Sequence, residues 1–99
     1  MADSNQPRYA SPGGGADYLI RHTTLRQLQL LEAIVRLGSF TRAAEELFLT
    51  QPTVSMQIKK LAEAIGTPLF RQVGRSVEPT DAGREVHAAC RDILNTLSN

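Results

Sequence analysis

The sequence predicts a mainly α-helical fold, three helices and a small β-hairpin followed by one longer helix, and two observations carry that expectation. The apolar set, 41% of 99 residues, is led by Leu, Ala and Ile, with no Trp, three Phe and two Tyr, which suits packed helices better than a sheet sandwich. Apolar residues also recur at spacings of three and four in stretches bounded by Ser, Thr and Gly, the period and punctuation of helices; one short stretch around Gly74 departs from it.

The elements follow in order. Met1 to Asp17 is rich in Pro, Gly, Ser and Asn without apolar periodicity, so residues 1–22 are expected to be a disordered arm. A domain is expected over 23–79. Leu25, Leu28, Leu31 and Val35 make the inner stripe of a first helix, with Gln27, Gln29, Glu32 and Arg36 between them, and Gly38 suits the left-handed conformation after its end. Ser39 or Thr41 can cap a short second helix whose inner face is Ala43, Ala44 and Leu47. Thr50 can cap a third, with Pro52 tolerated in its first turn and Val54, Ile58, Leu61 and Ile65 on one stripe until Gly66. Short apolar stretches flanking Gly74 predict a hairpin with its turn near Val73 to Arg75. Thr80 can cap a last helix over 80–99, along which Val86, Cys90, Ile93 and Leu97 form a heptad-like seam.

Several functions are disfavoured. A lone cysteine forms no internal disulfide, and no Cys/His spacing suggests zinc, so a reducing cytoplasm is expected, with Cys90 a small buried apolar residue. No run of about 18 apolar residues predicts a membrane span, and the N-terminus lacks the order of a signal peptide. No catalytic set can be assembled, and the glycines at 13–15 lack the context of a phosphate loop, so neither an enzyme nor a cofactor site is expected. His22 and His87 are isolated, and a surface position is expected for each.

Helix, short helix, tight turn, polar-faced helix and hairpin is the order of a winged helix-turn-helix, in which the third helix enters the major groove and the hairpin lies along the backbone. The helix-turn-helix spans about 40–59 and the wing about 68–79. The first turn of the third helix carries Gln51, Thr53 and Ser55, followed by Met56 and Gln57, short groups that can approach base edges. Lys59 and Lys60 would lie near phosphates, and Arg71 and Arg75 add charge on the wing. Each feature alone also suits an ordinary solvated face or a protected sheet edge, and Arg42 is ambiguous beside Glu45 and Glu46. A net charge of +1 is small for a DNA-binding domain, so positive charge must be arranged locally.

The segment from Gly38 to Gly83, with SFTRAAEEL, TQPTVSMQI, PLF and TDAG in order, resembles the LysR-type bacterial transcription regulators, and with the first helix the resemblance runs from Thr24 to about Ser98. It implies a dimeric, sequence-specific reader of double-stranded DNA in the bacterial cytoplasm. Residues 80–99 become the linker helix that pairs two protomers. It further implies a C-terminal domain that binds a small effector and supports higher oligomers; its absence leads us to expect a truncated chain. Positions matching Gln51, Pro52, Thr53 and Met56 approach bases in that family, and those matching Ser39, Thr41, Thr50, Ser55 and Lys59 lie near phosphates. Many relatives carry Arg where this chain has Met56, and Arg in the wing where it has Gln72, which leaves the wing contact to Arg71 or Arg75. VSMQIKKL together with Gln72 resembles the branch that controls carbon-fixation operons.

Two alternatives remain at this point. The seam of Val86, Cys90, Ile93 and Leu97 can pair two chains, which would set two recognition helices on an inverted repeat with half-sites about one turn apart, or it can pack on its own core over Leu25 and Leu28. A winged helix can also dock a protein through its third helix, although the short polar face starting at Gln51 disfavours this.

Overall fold

A computed structural model describes residues 15–98 as α1 (Gly15–His22), α2 (Leu25–Leu37), α3 (Phe40–Glu46), α4 (Gln51–Ile65), β1 (Phe70–Val73), β2 (Ser76–Pro79) and α5 (Asp81–Ser98). Side chains close the helix ends. The Thr24 hydroxyl accepts from the Gln27 N–H while the Gln27 side chain accepts from the Thr24 N–H, a reciprocal box that starts α2. Ser39 accepts from the Arg42 N–H at 3.1 Å to start α3. Thr80 accepts from the Gly83 N–H at 3.1 Å while its hydroxyl donates to the Pro68 carbonyl at 2.8 Å, which starts α5. Gly38 and Gly66 take φ of 68° and 98° after α2 and α4, a conformation in which a Cβ would be strained.

α2 lies at the centre. Leu28, Leu30, Leu31, Ala33 and Ile34 are buried along it, and α3, α4, α5 and β2 pack around them. The inner stripe expected from Leu25 is therefore rotated: Leu25 at the first turn is 47% exposed, and Gln27, expected among the outer polar residues, is 7% exposed. The buried stripe of α4 is Val54, Ile58, Leu61 and Ile65, as expected.

The antiparallel hairpin pairs Phe70 with Pro79, Arg71 with Glu78, Gln72 with Val77 and Val73 with Ser76 across a two-residue turn at Gly74 and Arg75. It is tied down at its base by Phe40 and Phe70, edge to face with ring centroids 5.7 Å apart, and by the Val77 N–H, which donates to the Gly38 carbonyl at 3.2 Å.

Three expectations are corrected. Residues 1–14 lie outside the described residues, but Gly15–His22, expected within a disordered arm, is helical. Its anchors are Leu19, wholly buried, and Tyr18, whose hydroxyl donates to the Ala64 carbonyl at 2.7 Å and whose ring stacks on His22. Two anchors in a polar, glycine-rich stretch leave no period to detect. Second, Val86 and Cys90, expected to meet a second chain, are wholly buried in their own, and the Cys90 thiol donates to the Leu28 carbonyl at 3.1 Å. Ile93 is half-buried against the same core, and the side chain of Leu97 lies outside the described residues. Heptad spacing specifies an apolar stripe but not the surface that covers it. Third, His87 is half-buried, and its Nε2 has no hydrogen-bond partner.

Two predictions follow from this packing. A Cβ on Gly83 would lie 2.1 Å from the Leu69 carbonyl oxygen. Gly83→Ala, which helix propensity alone favours by about 1 kcal/mol, is expected instead to destabilise the chain by about 1–3 kcal/mol through overpacking, seen as a lower urea midpoint. Burial holds the His87 imidazole below its ordinary value of 6.5, with Arg91 adding to the shift and Glu32 opposing it. As pH falls through 6.5 the unfolded chain takes up the proton first, so stability present above that value declines below it. The melting temperature is expected to drop from about pH 7 to about pH 5.5, and His87→Asn to flatten that slope.

Candidate nucleic-acid interface

α3 and α4 are joined through Leu47, Phe48, Leu49 and Thr50. The Leu49 N–H donates to the Ala44 carbonyl at 2.9 Å, so the chain turns immediately after α3. Phe48 supplies the turn with φ of 58° while its side chain stands 94% exposed. Thr50 caps α4, accepting from the Thr53 N–H at 3.4 Å, and Pro52 sits in the first turn, where a helix needs no N–H donor.

With one stripe of α4 in the core, the helical period leaves three others. Pro52, Met56, Lys59 and Glu63 lie opposite the core and are exposed. Gln51 and Ser55 form the flank towards the wing; their side chains are joined by a 3.0 Å hydrogen bond from Gln51 Nε2 to Ser55 Oγ. Thr53, Gln57 and Lys60 form the other flank, where Thr53 shares a 2.8 Å hydroxyl contact with Thr50.

An open cleft of about 460 Å³ lies between α4 and the wing. It is lined by Ser39, Phe40 and Thr41 at the start of α3, Gln51 and Ser55 on α4, Phe70, Arg71, Gln72 and Arg75 on the hairpin, and Gly38 and Val77. Six of the sequence-predicted residues thus meet on one concave surface: Ser39, Thr41, Gln51, Ser55, Arg71 and Arg75. Thr50, Pro52, Thr53, Met56, Lys59 and Lys60 lie outside the cleft on or beside α4, and Arg42 lies on the exposed side of α3.

The charges are distributed unevenly. Arg75, Lys59 and Lys60 are exposed without an acidic partner within 4.0 Å among the described residues, whereas Arg71 faces Glu78 across the hairpin at 3.7 Å. At the far end of α3, Arg36 pairs with Glu46 and, at 3.1 Å, with Glu32. The hydrogen bond from Arg36 holds the Glu46 carboxyl below the usual carboxylate range. Glu32 and Glu46 are therefore engaged with a cation outside the cleft, and the N-termini of α3 and α4, with their partial positive charge, open on the cleft side.

Gln27 did not figure among the candidate residues, yet its Nε2 donates to Gln57 Oε1 at 3.2 Å and ties the start of α2 to α4. Its signal is the T-x-x-Q spacing from Thr24, the signature of a capping box.

Residues 25–84 match the sequence model of the bacterial regulatory helix-turn-helix proteins of the lysR family. The chain is 53% identical over 78 residues to the HTH-type transcriptional activator CmpR of Synechocystis sp., covering 79% of this chain and 26% of that protein. It is equally similar, 53% over 78 residues, to the RuBisCO operon transcriptional regulator of Acidithiobacillus ferrooxidans, covering 79% of this chain and 25% of that protein. The chain thus spans about a quarter of the length of these curated relatives. Among solved structures, the BenM DNA-binding domain in complex with the benA site 1 DNA superposes with a TM-score of 0.73 at 33% identity, over 77% of this chain and 85% of that one. The CbnR DNA-binding domain bound to DNA superposes with a TM-score of 0.73 at 29% identity, over 77% and 87%.

The turn before α4 carries a cost of its own, since a bulky side chain is disfavoured at positive φ. Phe48→Asn, which tolerates that conformation and forfeits little burial at an exposed site, is expected to stabilise the chain by about 0.5–1 kcal/mol, a rise of a few degrees in melting temperature.

Proposed function

Because the chain belongs to the LysR family of bacterial regulatory helix-turn-helix proteins, we propose that it reads double-stranded DNA sequence-specifically as part of a transcription regulator. The observation that carries this reading is the cleft in which the first turn of α4, the start of α3 and two wing arginines converge. α4 enters the major groove by its N-terminal half. Gln51, Pro52, Thr53 and Met56 face base edges, Gln through paired hydrogen bonds to adenine and the methyl-bearing Thr and Met against thymine. Ser39, Thr41, Arg42, Thr50, Ser55, Gln57, Lys59, Lys60, Arg71 and Arg75 meet the backbone on either side. Glu63, on the same stripe as Met56 and Lys59, keeps the C-terminal half out of the groove by repelling phosphate. These contacts need no cofactor.

Area and charge argue for two copies. A module of this size buries roughly 600–1,000 Å² on DNA, and a net charge of +1 supplies little long-range attraction. Pairing through α5 places two recognition helices on an inverted repeat. With Val86 and Cys90 committed to the chain's own core, pairing uses half-buried Ala89, Ile93 and Leu94, which border the exposed face of the helix. One of the relatives named above is a RuBisCO operon transcriptional regulator, and we extend that role to this chain, working in the bacterial cytoplasm. Effector sensing and higher oligomers would belong to a domain of the kind that makes up the remainder of such regulators.

The experiment is selection of bound duplexes from a random pool, followed by fluorescence anisotropy on the selected and a scrambled duplex at two salt concentrations. We expect an inverted repeat to be enriched, salt-sensitive binding to both duplexes, and Gln51→Ala to lose about 1–3 kcal/mol of discrimination. Equal affinity of the wild-type chain for both duplexes, or none, overturns the reading and favours a protein-docking winged helix.

A further inference from the structure

We propose that Gln27, on the central helix, is a positioning residue that turns the side-chain amide of Gln57 so that its NH2 end faces the DNA backbone. The inference rests on the DNA-binding reading above and adds a device to it. It begins with a group whose polarity is not negotiable: the backbone N–H of Thr24 can only donate. It donates to Gln27 Oε1 at 3.1 Å, which leaves the NH2 end of the Gln27 amide directed at α4. There Gln27 Nε2 donates to Gln57 Oε1 at 3.2 Å. The oxygen end of the Gln57 amide is thereby engaged inward and its NH2 end turned outward.

Burial makes the arrangement one-way. Gln27 is 7% exposed, so water replaces its partners poorly, and losing either one leaves an end of its own buried amide unmatched. Gln57 is half-buried, and its Nε2 has no recorded acceptor among the described residues. It stands between Thr53 and Lys60 on the flank of α4 away from the wing, the side on which the second backbone strand passes when the helix lies in a major groove. A phosphate offers acceptors only, so the outward end of a neutral amide attracts it as NH2 and repels it as carbonyl oxygen. The reciprocal box that starts α2 thus decides the sign of a contact made by α4.

The test is a double-mutant cycle with the full chain and the duplex selected from the random pool, read by anisotropy and by melting temperature. Gln27→Glu keeps an acceptor for the Thr24 N–H, so the cap and the fold persist, but it replaces the donor facing Gln57 by an acceptor. A melting temperature at or above that of the wild type is expected, together with an affinity loss at least about tenfold larger than the same substitution causes in a Gln57→Ala background. The Gln57→Ala background subtracts any general effect of the added negative charge. An equal affinity loss in the two backgrounds, or none, overturns the relay while leaving the DNA reading intact. Should Gln27→Glu lower the melting temperature, Gln27→Met against Gln57→Ala repeats the cycle with an uncharged side chain, and additive losses there overturn the relay as well. Failure of the wild-type chain to bind any duplex overturns the DNA reading, and the relay with it.

Discussion

Burial of α2 on nearly every side is the constraint from which the rest of the structure follows. A 13-residue helix that hides Gln27, Leu28, Leu30, Leu31, Ala33 and Ile34 needs neighbours around most of its circumference, and a chain of this length has only α3, α4, α5 and the hairpin to supply them. Each neighbour is thereby held by one face and presents the other. α4 keeps its polar first turn outside because Val54, Ile58, Leu61 and Ile65 are claimed by the centre. The wing is steadied beside it because Gly38, at the end of α2, accepts the hydrogen bond of Val77. The geometry of the cleft is thus set by the packing behind it together with the Phe40–Phe70 and Val77–Gly38 contacts among its own lining residues.

Much of this arrangement was legible in the residues. Ser39, Thr50 and Thr80 mark helix starts by a local hydrogen bond, Gly38 and Gly66 mark ends by a backbone conformation, and Gly74 marks the hairpin; each signal acts over three or four residues and needs no tertiary information. Six of the candidate residues gathered on the cleft for the same reason, since a helical period and a hairpin register suffice to put them on one side. What escaped the sequence was whatever depends on which surface meets which. The seam of Val86 and Cys90 reads the same whether a second chain or α2 covers it. Gln27 and His87 are polar residues on helices, and only the packed fold makes their burial visible. The anchors seen on α1, Leu19 and Tyr18, are too few for a period.

The polar surface of the cleft is satisfied from within. Gln51 bonds Ser55, Gln72 donates to the Gly74 carbonyl at 3.0 Å, and Arg71 leans on Glu78, while beside the cleft Thr50 bonds Thr53. Any ligand that takes these groups must exchange bonds rather than simply add them, so the gain per contact is modest and wrong partners are penalised. Arg75, Lys59 and Lys60, which give up no ion pair, then supply attraction that does not depend on sequence, and the exchanged amide and hydroxyl groups supply discrimination. A small net charge is consistent with that division, because Arg36 is spent on Glu32 and Glu46, none of which lines the cleft.

The buried thiol has a chemical consequence. Cys90 is the chain's one cysteine, it lies under α2 with its hydrogen directed at the Leu28 carbonyl, and burial pushes its pKa up to about 12. A thiol in that state carries almost no thiolate and offers no path to a disulfide reagent while α5 stays seated. Alkylation of this chain therefore requires α5 to part from the core that covers it, so the protein carries its own clock for that opening, readable without a dye or an added tryptophan.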